Sequence, residues 1–141
     1  MTTQYKLGED ITKQLEEQGV SYEFLSVKDL ETIELKWKEK FIGKRTAPNV
    51  EYYKWHIFSF HSDKNIEGEK AFVEYKEQYP CDIYIFNERL QYGLKCSKSD
   101  RIPEILMEDF CDDIYICHHN MKWTYVIPHE FPEMGPYFSK D

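Results

Sequence analysis

The sequence predicts an α+β fold, in which an antiparallel or mixed sheet built from β-hairpins carries helices mainly on one face. Apolar residues recur at steps of three and four in some segments, which is typical of amphipathic helices. In other segments they alternate with polar residues, which is typical of strands. The chain has 141 residues and is 41% hydrophobic, so we expect a single globular domain over residues 1–141.

Two amphipathic helices are expected in the first third of the chain. The first spans residues 8–19, where Ile11 and Leu15 lie four positions apart. Alternation at residues 20–26 predicts a short strand. The second helix spans residues 28–42, and its apolar face is formed by Leu30, Ile33, Trp37 and Phe41.

The middle of the chain predicts a loop, a strand and a later helix. Residues 43–50 read as a loop because they contain proline and asparagine. Residues 52–61 carry apolar side chains on both faces, which is typical of a central strand. A further helix is expected to begin near Ser99 or Asp100, with Pro103 in its first turn, where proline is tolerated.

A shift of 31 positions aligns residues 82–96 with residues 113–127, and both segments begin with Asp-Ile-Tyr-Ile. Each segment predicts a β-hairpin because apolar residues alternate on either side of a polar turn. The turns are expected near residues 87–90 and 118–121. With a helical segment before each hairpin, the pattern is a helix–strand–strand unit that occurs twice. The match is either an internal duplication or the similar patterning of two half-buried hairpins.

The charge of the chain limits its partners. With 18 basic and 26 acidic residues, the net charge is −8, which disfavours nucleic acid and anionic membranes as partners. A basic protein partner is compatible with this charge. The chain begins without a signal peptide and contains no apolar run of membrane-spanning length, so we expect a cytoplasmic protein with reduced cysteines. No pattern predicts an oligomeric state.

Cys111, Cys117, His118 and His119 are the first candidates for metal ligands, because thiolates and imidazoles bind zinc. Their C-x5-C-H-H spacing does not match a known zinc motif, and on a strand Cys117 and His118 point to opposite faces. We therefore expect buried thiols, a hairpin turn at the histidines, no metal and no cofactor.

Five residues are candidates for a binding site, and none is assigned a catalytic role: His56, Trp123, His129, Glu130 and Tyr137. A histidine and a carboxylate near a strand end can form an acid–base pair. A nucleophilic pair of His56 with one of the cysteines Cys81 or Cys96 is a further alternative.

The aromatic residues favour burial. Tyr137 and Phe138 make the tail too apolar to remain in water, so we expect it to dock onto the sheet. At least two of the three tryptophans, at positions 37, 55 and 123, are expected in the core.

Several short segments carry a resemblance to a known family: WHIFS (55–59), EGEKA (67–71), WTYV (123–126), HE (129–130) and GPYF (135–138). In this order they resemble a family of small bacterial proteins from Bacillus and its relatives, the domain of unknown function 4275. The resemblance implies a compact domain in a bacterial cytoplasm. It implies no activity and supplies no catalytic residues.

Two function classes follow. The leading hypothesis is a non-catalytic binding or interaction protein, for example an immunity-type protein that blocks a basic toxin domain, because catalytic motifs are absent and the chain is acidic. The alternative is a small enzyme or metal-binding protein. Its pocket would use His and Glu, at His56, His129 and Glu130, or Cys and His, around Cys111.

Overall fold

An antiparallel sheet of seven strands forms the centre of the described part of the chain, which comprises residues 3–42, 65–106, 113–128 and 135–140 of this computed structural model. The strands are β1 (Tyr22–Phe24), β2 (Asn65–Glu67), β3 (Ile83–Asn87), β4 (Gly93–Cys96), β5 (Ile114–His118), β6 (Trp123–Ile127) and β7 (Tyr137–Lys140). They are arranged in the order β1-β4-β3-β5-β6-β7-β2. The predicted loop at 43–50 and strand at 52–61 lie outside the described residues.

Three α-helices flank the sheet in these ranges: α1 (Thr3–Glu17), α2 (Val27–Trp37) and α3 (Glu69–Lys76). A π-helical turn, Lys38–Ile42, continues α2. The helices α1 and α3 pack on one face of the sheet, the α1/α3 face, and α2 covers the opposite α2 face. The predicted α+β class is confirmed, as are both helices of the first third of the chain.

The apolar face of α2 is buried as its spacing predicts, with Trp37 fully enclosed. The indole Nε1 of Trp37 donates a hydrogen bond to Oγ1 of Thr124 at 2.9 Å, and that hydroxyl donates to the carbonyl of Ile116 at 2.9 Å. This chain of bonds satisfies polar groups that would be costly to bury alone. Trp123 is also buried, at 4% exposure, so the expectation that two tryptophans lie in the core is confirmed. Trp55 lies outside the described residues.

Both predicted hairpins form, with β3 paired to β4 and β5 paired to β6. Their turns follow the same path. The N–H of Leu90 bonds the carbonyl of Asn87 at 3.0 Å, and the N–H of Met121 bonds the carbonyl of His118 at 2.8 Å. Leu90 and Met121 both have positive φ, 54° and 58°, a conformation that is uncommon for these residue types.

The two hairpins are related by a local two-fold axis. Ile85 on β3 pairs with Ile116 on β5, and these two residues are equivalent under the 31-residue shift. The flanking pairs are related in the same way. The shift replaces Ile83 by Ile114 and His118 by Asn87, so the pair Ile83↔His118 becomes the pair Asn87↔Ile114. The axis therefore passes between Ile85 and Ile116, and the repeat seen in the sequence extends to the backbone pairing.

The helix predicted to begin near Ser99 is wrong for the described residues 99–106, which are not helical. Side-chain amides of α1 and of the residue that follows it bind the backbone of this segment as a neighbouring strand would. Gln18 accepts the N–H of Glu104 at 2.8 Å and donates to its carbonyl at 2.7 Å. Gln14 makes the same pair of bonds with Leu106. These tertiary hydrogen bonds hold the segment extended, and they outweigh its local preference for helix.

The tail docks onto the sheet, as predicted. Tyr137 and Phe138 are buried in β7, which lies between β6 and β2. The two side chains pack on opposite faces, Tyr137 on the α2 face and Phe138 on the α1/α3 face. In the ranges that the structure describes, no helix combines the length and the apolar character needed to cross a bilayer.

Candidate functional site

Three potential metal ligands meet where β5 ends beside the residues that lead into β3. One ligand atom from each of Cys81, His118 and His119 lies within 4.8 Å of the others. We call this group, together with Asp82 and the turn at residues 118–122, the β5 corner. Cys81 and His118 are half-buried and His119 is exposed, so the group lies at the protein surface.

The pairing of β3 with β5 creates this corner. His118 pairs with Ile83, whose side chain points to the α1/α3 face. Cys81 lies two positions before Ile83 and packs against the same face, as the period of an extended chain requires. The ring of Trp123 closes the inner side of the corner, edge-on to His118 with 6.1 Å between ring centroids.

Asp82 fixes the orientation of His119. Its backbone carbonyl accepts the backbone N–H of His119 at 3.1 Å and lies 3.0 Å from Nδ1 of the ring. Because a carbonyl only accepts, Nδ1 carries the proton in this arrangement and Nε2 keeps its lone pair. Metal-bound histidines commonly hold their second nitrogen in this way. Nε2 is therefore the nitrogen of His119 whose lone pair can coordinate an ion.

His118 is held by a different bond. The backbone N–H of Asn120 donates to Nδ1 of His118 at 2.9 Å, so the neutral ring carries its proton on Nε2. To coordinate an ion through Nδ1, His118 must release the N–H of Asn120. To coordinate through Nε2, its proton must move to Nδ1, which then no longer accepts that N–H. The hydrogen bond to Asn120 is lost in both cases. The net loss is about 1 kcal/mol. Burial, His119 and Lys122 lower the pKa of His118, so the ring is neutral at physiological pH and available as a ligand.

Cys81 is a thiol rather than a thiolate at neutral pH. Burial raises its pKa to about 11, Asp82 contributes in the same direction, and Lys98 opposes them. A metal ion binds the thiolate, so coordination must displace this proton. The raised pKa also disfavours Cys81 as an activated nucleophile in the absence of a metal.

The donor separations are compatible with a small ion after modest adjustment. Zinc bonds to nitrogen and sulfur of about 2.0–2.3 Å place tetrahedral ligand atoms roughly 3.3–3.8 Å apart. The rings of His118 and His119 are stacked with centroids 4.2 Å apart and planes at 23°. Because the planes of the two rings are nearly parallel, at least one ring must turn before both rings can face one ion.

The residues expected from sequence are only partly brought together. Trp123 borders the β5 corner, whereas Tyr137 lies on the opposite face of the sheet. His56, His129 and Glu130 lie outside the described residues. Their role in binding stays a prediction.

The zinc candidates considered from sequence separate in the same way. Cys117 is buried on the α2 face, away from His118, as strand alternation requires, and Cys111 lies outside the described residues. The expectation of no metal considered only Cys111 and Cys117 as partners of the two histidines. It did not consider Cys81, which reaches the two histidines only through strand pairing.

Comparison with known proteins gives one match. No curated protein and no solved structure matches this chain. A family model described as a domain of unknown function, DUF4275, matches residues 1–138, and the chain therefore belongs to the DUF4275 family.

Proposed function

We propose that this protein binds a zinc ion through Cys81, His118 and His119. The observation that carries the proposal is the convergence of these three donors to within 4.8 Å at the end of a rigid sheet. One thiol and two imidazoles form a ligand set that zinc accepts. The proposal is the metal-binding alternative of the sequence analysis, with a different cysteine.

The chemistry of the donors selects the ion. Calcium and magnesium require several oxygen ligands, and this corner presents nitrogen and sulfur. Thiolate and imidazole suit zinc and copper, and copper binds most N/S sites more tightly than zinc does. Zinc is the ion that uses this set without requiring a redox partner, so it is the ion we assign.

The position of the donors on the sheet supports their use as ligands. His118 pairs with Ile83 at the end of a continuous set of strand pairs, and Cys81 lies two residues before that pair. Sites on regular elements hold their ligands more precisely than sites on loops. The backbone bond between His119 and Asp82 extends this support into the turn.

The test is direct measurement of the metal. Purified protein titrated with zinc in competition with a chromophoric chelator should bind one ion per chain. Cobalt(II) should bind at the same place and give the near-ultraviolet charge-transfer absorption of a cobalt–thiolate bond. The variant Cys81→Ser should lose that absorption and lower zinc affinity by at least about 100-fold.

A matched variant controls for the loss of a thiol. Cys96 is buried on the same face of the sheet but belongs to β4 and is not part of the donor group. Cys96→Ala should leave the cobalt–thiolate absorption in place. If Cys96→Ala removes the absorption and Cys81→Ser does not, or if no cobalt–thiolate absorption appears in the wild type, the proposal is wrong.

The leading sequence-based hypothesis, an interaction protein of the immunity type, stays a prediction. Its support is the net charge of −8, which favours a basic partner. Zinc binding and partner binding are compatible, because the ion occupies one corner of the sheet.

A further inference from the structure

We propose that the metal ion held by Cys81, His118 and His119 keeps a fourth coordination position open to solvent and takes an oxyanion there, a phosphate or a carboxylate group. This inference rests on the proposed function. It adds the chemical class of a ligand, and it separates a ligand-binding metal site from a purely structural one.

The number and exposure of the donors support an open position. Structural zinc sites are closed by four protein ligands, whereas sites that bind substrate have three and leave the fourth to water. Within the described ranges, the donor group at this corner consists of three residues. Its third member, His119, is exposed to solvent. The ion would therefore be reached from the His119 side.

Two lysines give this corner a positive field. Lys122 is the last residue of the turn at residues 118–122 and is exposed to solvent. Lys98 is placed by its backbone N–H, which donates to the carboxylate of Asp82 at 2.7 Å, and it is exposed to solvent.

The sum of these charges favours an anion. A divalent ion together with the two lysines outweighs the Cys81 thiolate and the Asp82 carboxylate. A site with excess positive charge concentrates anions, and a metal at its centre supplies a direct bond to oxygen. Phosphate and carboxylate share this chemistry, and phosphate carries the larger charge.

The experiment uses the cobalt(II) form of the full chain. Its visible absorption bands depend on coordination geometry, and its charge-transfer band reports the bond to Cys81. Titration with inorganic phosphate and, separately, with acetate should change the visible bands saturably while the charge-transfer band persists. The anion that saturates at the lower concentration identifies the ligand class.

Lys122→Gln tests the electrostatic argument through two effects of opposite sign. Removing a positive charge should leave cobalt affinity equal or slightly higher, and it should weaken phosphate binding by about fivefold. Damage to the fold would weaken both. Lys36→Gln is the matched control, because Lys36 is an exposed residue of α2 on the other side of the sheet. It should change neither affinity.

The outcomes separate the two proposals. If the charge-transfer band forms but neither anion changes the visible bands, the metal site exists and the open position does not. If the band never forms, the metal site itself is absent and this inference fails with it. Equal phosphate affinities for Lys122→Gln and Lys36→Gln would overturn the assigned role of the lysine.

Discussion

The β5 corner has a counterpart at the end of β3, and comparison of the two corners shows which features belong to the backbone. At the β3 corner, residues 87–92 beside Asp113, the N–H of Glu88 bonds the carbonyl of Asp113 at 3.0 Å. At the β5 corner, the N–H of His119 bonds the carbonyl of Asp82 at 3.1 Å. The two bonds are equivalent under the 31-residue shift, so the same backbone frame is built twice.

The side chains in the two frames differ. Asn87 is fully buried at the β3 corner, where its Oδ1 accepts the N–H groups of Gln91 at 2.8 Å and Tyr92 at 3.3 Å, and its Nδ2 donates to the Gln91 amide at 2.9 Å. His118 occupies the equivalent place at the β5 corner and is half-exposed. One corner is therefore closed by an amide network, and the other leaves the rings of His118 and His119 partly or fully exposed to solvent.

Exchange of the residues at the two corners should have its largest effect at the buried one. Asn87→His places a larger ring in a filled site and removes the paired amide bonds. We expect a loss of about 3 kcal/mol in the free energy of unfolding, measured by urea denaturation. A loss below about 1 kcal/mol would show that the buried hydrogen bonds of Asn87 do not stabilise the β3 corner.

The reciprocal change, His118→Asn, should separate metal binding from stability. The asparagine oxygen can still accept a backbone N–H in the turn, so we expect the unfolding free energy to change by less than about 1 kcal/mol. Zinc affinity should fall by about 100-fold, because one of three ligands is lost. Competition titration and urea denaturation of the same sample measure both. Unchanged zinc affinity would exclude His118 as a ligand.

The pH dependence of zinc binding should show whether the thiol of Cys81 is a ligand at the β5 corner. The pKa of Cys81 is raised to about 11, so below that value each bound ion must displace one proton from sulfur. Apparent affinity should therefore increase by about tenfold per pH unit between roughly pH 7 and 9, because one proton leaves sulfur for each ion bound. In Cys81→Ser the residual affinity should be nearly independent of pH in this range. A flat profile in the wild type would exclude the thiolate as a ligand.

The smallest expected effect concerns the segments that precede the two hairpins. The helix α3 precedes β3, whereas the equivalent stretch before β5 is extended at residues 101–106 and bound by Gln14 and Gln18. Gln18→Ala removes two hydrogen bonds to Glu104 and one to the carbonyl of Gln14 near the surface, and it should lower the unfolding free energy by about 1 kcal/mol. Glu17→Ala, at the exposed neighbouring position, is the control and should be close to neutral. If both variants are neutral, the glutamine does not hold this segment.

The sequence alone was sufficient to predict the elements in which buried residues recur at a local period. The stripe of α2, from Leu30 to Phe41, predicts a helix because one face of a 3.6-residue period must be covered. The two hairpins were predictable from alternation and matching turns. The equivalence of the two hairpins was visible as well, since a shift of 31 residues aligns their sequences.

The remaining features depend on contacts between distant residues. The helix expected at Ser99 does not form because the glutamine that holds this segment lies 86 positions from its partner. The β5 corner was missed for the same reason, since His119 and Asp82 are 37 residues apart. Alternation predicts which face a residue occupies, but it does not predict that β3 pairs with β5.

The local two-fold axis between Ile85 and Ile116 has the symmetry of an isologous dimer, in which the same surface of each copy meets the other. Two identical units assembled in this way carry identical residues at both corners, so a substitution that helps one corner alters the other in the same molecule. Covalent linkage removes that constraint. In a single chain, one corner can be kept for stability while its twin changes, and here Asn87 is buried at the β3 corner while His119 is exposed at the β5 corner.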